Sequence, residues 1–356
     1  MFESAGNMAD AEQALAQALL TTGQAPAVLE SMAQFLVRRD RDRDAAAIYR
    51  QWLAGEPDSA PALLGLGLIL ADYPAFAKEA MTRLREALQH DPTLRHGYRP
   101  LAKLLLAAGR RDEAISCLQA WLEATPDDPV ATHLLAAFKG GSAPARASDA
   151  FVRQTFDGHA HHFDHLLRDG LEYRAPELLM ERIGPRLPGV RSPVLDLGCG
   201  TGLCAPLLRP HASRLVGIDL SKPMLEQARA RRLYDELVAA ELTAYLQTSA
   251  ETFGLVVATD TFVYLGALDS VFHNTFRLLH PGGWLAFTVE HPGEDHPVAG
   301  GHELTPTGRY RHQSAYIDAA LQAAGFAERD LHETSVRKEA GVAVRSLIVT
   351  ARKPLL

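Results

Sequence analysis

The stretch "VLDLGCGTGLCAPLL", Val194 to Leu208, constrains this chain more than any other. Val194, Leu195 and Leu197 suit a short buried strand, and Asp196 sits among them near its carboxyl end. Gly198, Gly200 and Gly202 follow at alternate positions, where they permit a tight turn and let the main chain approach a ligand closely. Leu203 to Leu208 reads as the opening of a helix. A strand, a glycine loop and a helix N-terminus in that order are the usual cradle of a nucleotide-like cofactor. A dinucleotide loop places glycine or alanine three residues after its second glycine, and counting from Gly200 that position is Leu203. The dinucleotide reading loses there.

Downstream, "RLVGID", "ELVAAEL", "FGLVVATD" and "GGWLAFTVE" are strand-like runs separated by helical stretches. The alternation predicts an α/β domain with a parallel, doubly wound sheet. The tail "AERDLHETSVRKEAGVAVRSLIVTARK" reads as two strands joined by a turn near Glu339 to Gly341, so one of them must run antiparallel to the rest. Asp219 closes "RLVGID" about 20 residues past the glycine loop, where a carboxylate accepts hydrogen bonds from both hydroxyls of a ribose.

The glycine spacing, with Asp196 two residues ahead of it, resembles motif I of class I S-adenosylmethionine-dependent methyltransferases. "DLSKPMLEQAR", "AAEL", "LVVATDTFVYLGAL" and "LLHPGGWLAFTVE" continue the likeness in order. The resemblance implies a Rossmann-like, seven-stranded methyltransferase sheet with S-adenosyl-L-methionine as cofactor. It further implies that Asp196, Gly198, Gly200 and Gly202 form the holding loop, that Asp219 grips the ribose, and that Leu220 and Met224 pack on the adenine. By the same likeness Glu241 accepts from the adenine amine with Leu242 facing the ring, and Thr259 and Asp260 lie beside the methionine portion. A closer likeness is to methyltransferases preceded by tetratricopeptide repeats. Their lead-in resembles "FVRQTFDGHAHHFDHLLRDGLEYRAPELL", which implies a lid packed by Phe156 and Phe163, with Tyr173 at the methionine end.

The first 140 or so residues are rich in alanine and leucine and read as helices. Pro57, Pro92 and Pro126 recur at separations of 35 and 34 residues, which is the tetratricopeptide period. Aligned on those prolines, Ala45, Ala80 and Ala114 share one position, and Ala33, Gly67 and Ala102 share another. Large residues coincide too: Leu29, Leu63 and Tyr98, then Tyr49, Leu84 and Leu118. The spacing predicts three helix pairs over Ala25 to Asp128, flanked by helices around Ala11 to Leu20 and Val130 to Phe138. Trp52 and Trp121 are read as core. The expected division is a helical repeat array over 1–140, a linker over 141–150 and the cofactor domain over 151–356.

Methyl transfer from a sulfonium is an in-line displacement, so much of the catalysis is positioning and exclusion of water. An acceptor carboxylate needs no base, whereas a hydroxyl, ammonium or carbon acid must first lose a proton. "GRYRHQSAYIDAALQAAGF" lies where this fold shapes its acceptor pocket. His312 is the candidate base there, Arg309 the candidate anion anchor, and Tyr310 and Tyr316 further substrate contacts. Tyr264, after the fourth strand, is a second catalytic candidate. "GHAHHFDH" puts Asp157, His161 and His165 on one helix face, but zinc generally draws ligands from more than one element, so no metal is expected.

Forty-three acidic against 36 basic residues give a formal charge of -7, which argues against a nucleic-acid or membrane partner. Three scattered cysteines, no leader-like N-terminus and no apolar run of roughly 20 residues point to a cytoplasmic protein. The expected function is methyl transfer to a small-molecule, carrier-bound or protein acceptor recruited with help of the array, which itself would take a protein or peptide. The alternative is a scaffold that binds the cofactor without transferring its methyl group.

Overall fold

The structure, a computed structural model, describes residues 5–21, 25–141, 143–160, 163–187, 189, 191–339 and 341–355. It divides into two units, Met1–Phe138 and Lys139–Leu356.

The first unit is helical. Helices α1 (Ala5–Thr21), α2 (Pro26–Val37), α3 (Asp42–Gly55), α4 (Ala60–Ala71), α5 (Ala77–His90), α6 (Tyr98–Ala107) and α7 (Arg111–Ala124) precede α8 (Pro129–Lys139). Pro57, Pro92 and Pro126 fall in the turns after α3, α5 and α7, where a missing N–H costs nothing. Asp42 and Asp44 in the first turn of α3, and Asp112 and Glu113 in that of α7, complement the positive ends of those helix dipoles. The repeat positions are the contact positions: Ala45, Ala80 and Ala114 are fully buried, as are Leu84 and Leu118. A Cβ on Gly67 would stand 2.8 Å from Leu84 Cγ and 3.1 Å from its backbone nitrogen, so α4 and α5 meet more closely than any larger residue permits. Trp52 and Trp121 are buried, the latter stacked on Tyr98 at 5.7 Å.

The second unit contains, among the described residues, nine strands in one mixed sheet: β1 (Ser192–Leu197), β2 (Ala212–Asp219), β3 (Glu236–Ala239), β4 (Phe253–Ala258), β5 (Leu279–Glu290), β6 (His302–Leu304), β7 (Tyr310–His312), β8 (Glu328–Glu339) and β9 (Val342–Arg352). The order β3-β2-β1-β4-β5 is parallel throughout. β9 then runs antiparallel along β5 from Trp284 opposite Arg352 to Glu290 opposite Ser346, and β8 lies antiparallel outside it. These seven strands are the expected sheet. The remaining two, β6 and β7, form a small hairpin that touches β5 at Glu290 opposite Arg311.

Both faces of the sheet are covered, which is why the central strands are apolar without alternation. Val194, Leu215, Leu255, Val257 and Ala286 pack with helix Ala175–Ile183. Residues of opposite parity, Leu195, Leu197, Val216, Ile218, Val256 and Phe287, pack with Phe262 and Phe272. The helix expected from Leu203 is shorter than the sequence suggests. It spans only Ala205–Leu208 and passes into a 3-10 turn at Arg209–His211, because Pro210 ends it.

The expected linker is ordered where it meets this unit. Ala145 C=O accepts from Gly266 N–H at 2.8 Å, Ala147 N–H donates to Tyr264 C=O at 2.8 Å, and Arg146 bridges Leu265 in antiparallel fashion. The Tyr310 hydroxyl donates to Pro144 C=O. Pro144 to Ala147 therefore form a short strap against the segment that follows β4.

Candidate functional site

The site is built on the carboxyl ends of β1, β2 and β4. Gly198, Gly200 and Gly202 all take positive φ (68°, 55° and 84°), which is the region an L side chain disfavours. Their surroundings differ. A Cβ on Gly198 would meet Thr261 Oγ1 at 2.4 Å, and one on Gly202 would meet Tyr234 Cε2 at 3.0 Å, but one on Gly200 would meet nothing within 4 Å. Two of the glycines accommodate the protein itself. The third faces open space.

Asp219 closes the far side. Its Oδ2 accepts from Gly200 N–H at 2.9 Å and its Oδ1 from Ser221 N–H at 2.8 Å, so the carboxylate is pinned to the glycine loop. Burial raises its pKa, and those two backbone bonds oppose the rise. Ser221 caps helix Lys222–Ala230 through Met224 N–H, and the Met224 side chain is buried. Leu220 is half-buried between Asp219 and Ser221. Asp196 is fully buried. Tyr234 donates to its Oδ2 at 2.6 Å, and Oδ1 is sealed from solvent without a hydrogen-bond partner.

Glu241 has a role that its expected contact with an adenine amine did not anticipate. Its carboxylate accepts from Thr243 N–H at 3.0 Å and Ala244 N–H at 2.8 Å, and thus caps the helix Leu242–Thr248. Leu242 opens that helix, half-buried against the core. Thr259 lies 3.2 Å from Cys204 Sγ and hydrogen-bonds the Tyr173 phenol. Asp260 is held by β5 and β8. Its φ is +50°, its N–H donates to Thr288 Oγ1 at 2.8 Å, and its carboxylate takes hydrogen bonds from Thr288 and Arg337.

Arg337 is the centre of a network that local sequence patterns do not reveal. Its guanidinium, buried to 1% exposure, pairs with Asp260, Glu290 and Glu339, while Arg309 pairs with Glu339 and lies 3.5 Å from Glu290. The members come from the segment after β4, from β5, from the loop before β7 and from β8, and are separated by up to 77 residues.

The acceptor candidates therefore need correction. Arg309 is engaged by two carboxylates rather than free as an anion anchor. Tyr310 is fully buried and holds the strap. Tyr316 accepts from Leu268 N–H at 2.7 Å and donates to Asp269 at 2.8 Å, so it is framework. His312 is fully buried on β7, its Nε2 bonds Gly266 C=O at 2.9 Å, and its Nδ1 is closed to solvent. Burial lowers its pKa to about 4, which is far too acidic for a base at neutral pH. Tyr264 alone of this group stays beside the lead-in segment, half-buried, its ring 5.6 Å from Phe156 and 6.4 Å from Phe151.

The lead-in segment is fastened over the loop. Phe156 and Phe163 meet edge to face at 5.8 Å, and Asp164 accepts from Thr201 Oγ1 at 2.5 Å and from Arg231. Arg231 Nε also donates to Thr201 C=O at 2.6 Å. The sequence signal for this clasp is the pair of Phe-Asp steps in the lead-in, Phe156-Asp157 and Phe163-Asp164. His161 and His162 lie outside the described residues. Among the described residues no three His, Cys, Asp or Glu side chains gather to hold a metal ion, and no helix is long and apolar enough to cross a membrane.

An open glycine with φ +55°, a carboxylate pinned beside it and a second carboxylate with one unmet oxygen suit a ribose-containing cation, and the strand order places them at the crevice of an α/β sheet. Fold and site together resemble those of a class I S-adenosylmethionine-dependent methyltransferase domain behind a helical repeat array. Residues 195–287 match the methyltransferase domain family and residues 77–138 the tetratricopeptide repeat family. A malonyl-[acyl-carrier protein] O-methyltransferase of Pseudescherichia vulneris is 30% identical over 136 residues, covering 38% of this chain and 49% of the relative. A trans-aconitate 2-methyltransferase of Paracidovorax citrulli is 38% identical over 100 residues (28% and 38%). Human methyltransferase-like protein 27 is 39% identical over 128 residues (33% and 50%). The chain spans about half the length of the first of these relatives. Among solved structures, the [4+2]-cyclase SpnF aligns with a TM-score of 0.49 and 22% identity, over 60% of this chain and all of that one.

Proposed function

We propose that this protein transfers a methyl group from S-adenosyl-L-methionine to a carboxylate acceptor, either a small molecule or an acyl group on a carrier, recruited with help of the repeat array. The pinning of Asp219 by Gly200 N–H, beside a glycine whose outward face is open, carries the cofactor half of this reading. Asp219 would take the ribose hydroxyls, Gly200 would lie beneath the sugar, Met224 and Leu242 would border the base, and Asp196 and Thr259 would face the amino-acid end. The bound cofactor supplies an electrophilic methyl group on a positively charged sulfur.

The chain's own part is positioning and water exclusion. In this reading Phe156, Phe163 and the Asp164 clasp would cover the loop, with Tyr264 packed against Phe156. The sealed, weakly basic His312 favours an acceptor that is already ionised. Two relatives named for malonyl and trans-aconitate methylation support the same class. The rival reading, a cofactor-binding scaffold, shares every feature of the loop and differs only in lacking transfer.

The test has two arms. Calorimetry with S-adenosylhomocysteine should show binding by the full chain, and no binding at any concentration tried rejects the cofactor half. Methyl-labelled cofactor incubated with cell extract should label small or carrier-bound acceptors, and mild alkali should release the label as methanol, as an ester requires. Binding without incorporation selects the scaffold; alkali-stable label excludes a carboxylate.

A further inference from the structure

Tyr234 stands just before β3 in a turn held twice to β2: Asp235 N–H donates to Leu215 C=O at 2.9 Å, and Leu215 N–H donates to the Asp235 carboxylate at 2.7 Å. From that fixed point its ring lies between two glycines. A Cβ on Gly217 would come within 2.8 Å of Tyr234 Cε1, and one on Gly202 within 3.0 Å of Cε2. Gly202 is thus required by the tyrosine as well as by its own φ. The ring ends in the 2.6 Å hydrogen bond to Asp196 Oδ2, while Oδ1, equally buried, has no partner. A buried carboxylate oxygen without a donor is costly, and a donor brought to it would relieve that cost.

We propose that Tyr234 is a positioning residue for the charged amino-acid end of the cofactor: by occupying Asp196 Oδ2 it orients the carboxylate and leaves Oδ1 as its one free acceptor for an ammonium group. The inference rests on the cofactor reading above. It predicts a pH signature. The groups facing Asp196 are Tyr234 from the turn before β3, Asp219 from β2, and Cys199 and Cys204 from the loop and the turn after it. Burial raises both thiols and the phenol well above their ordinary values, so they stay neutral. Burial likewise pushes Asp196 up to about 7, with the Tyr234 bond opposing the rise and the Asp219 charge adding to it. Below that value Asp196 is protonated and offers an ammonium group no charge. Affinity for a cationic ligand therefore climbs with pH through about 7 and levels off above it, and binding below that value releases a proton.

The experiment is calorimetric titration of the full chain with S-adenosylhomocysteine from about pH 5.5 to about pH 8.5, a range in which the ligand's ammonium stays largely charged, in two buffers of different ionisation enthalpy. Wild type should gain affinity to a plateau and release protons at the acid end. Tyr234→Phe loses the bond that favours the ionised carboxylate, so its midpoint should move upward by about half a unit or more while its plateau affinity stays within about threefold. An unmoved midpoint in Tyr234→Phe overturns the proposal, as does a pH-independent affinity in wild type. Asp196→Asn provides a second arm should the phenylalanine variant fold poorly: it should abolish the pH dependence, and persistence of the wild-type midpoint overturns the proposal equally. Absence of ligand binding by wild type at every pH removes instead the cofactor reading on which this rests.

Discussion

The three loop glycines share a backbone conformation and differ in what each excludes, which makes them separable by experiment. At Gly198 the space is taken by Thr261, so Gly198→Ala forces the loop and the segment after β4 apart. The expected loss is roughly 2–4 kcal/mol of stability, read from urea unfolding. At Gly200 nothing of the chain stands in the way. Gly200→Ala should cost only about 1 kcal/mol of backbone strain yet weaken S-adenosylhomocysteine by tenfold or more, because the methyl group occupies the cradle. Equal ligand affinity in that variant argues that the crevice lies elsewhere. Asp219→Ala should likewise weaken the ligand by roughly 10- to 100-fold, the worth of hydrogen bonds to a charged acceptor. The sequence alone marked these positions, since glycine spacing and a strand-ending acid are local signals. It did not separate the three glycines, because their neighbours, Thr261 and Tyr234, come from other turns. Glu241 shows the limit in another way: an acid between a strand and a helix fits a ligand contact and a helix cap equally well, and only the 2.8 Å bond to Ala244 N–H shows the cap.

Among elements, the β8–β9 hairpin does more than complete the sheet. It carries Arg337 into contact with Asp260, Glu290 and Glu339, and so ties the ends of β4 and β5 to the sheet's antiparallel edge. Removing one partner of such a buried set strands the others. Arg337→Met should therefore destabilise the second unit by about 3–5 kcal/mol, and Arg337→Lys should recover only part of it, since one ammonium cannot replace a planar fork with several donors. A denaturation midpoint unchanged in the methionine variant excludes this account. The network as such was not legible beforehand, because its members are remote in sequence: Asp260 and Arg309 were singled out for other roles, and Glu290, Arg337 and Glu339 carry no local signal. The strands, by contrast, were legible from apolar runs and their order from the alternation with helices. The β6–β7 hairpin was not, being three residues a side within a stretch that patterns as loop. Two of the acceptor candidates sit in this hairpin, where His312 pairs across the strands and Tyr310 holds the strap.

At the scale of the chain, each unit has its own core, and in the cofactor reading the ligand touches only the second. Scanning calorimetry should resolve two transitions, and S-adenosylhomocysteine should raise one of them while leaving the other in place, by about 2.7 kcal/mol at a hundredfold excess over its dissociation constant. A ligand that raises both transitions equally contradicts the division. The repeat period was readable because it recurs at fixed spacing, whereas the join between the units was read as a mere spacer from its glycine, serine and proline content. Yet the residues from Pro144 to Ala147 hydrogen-bond along Tyr264 to Gly266. An exchange of one array for another, whether made by recombination in nature or by gene fusion at the bench, would have to cut before Pro144. A graft joined at residue 151 would carry away a piece of the second unit with the part it meant to replace.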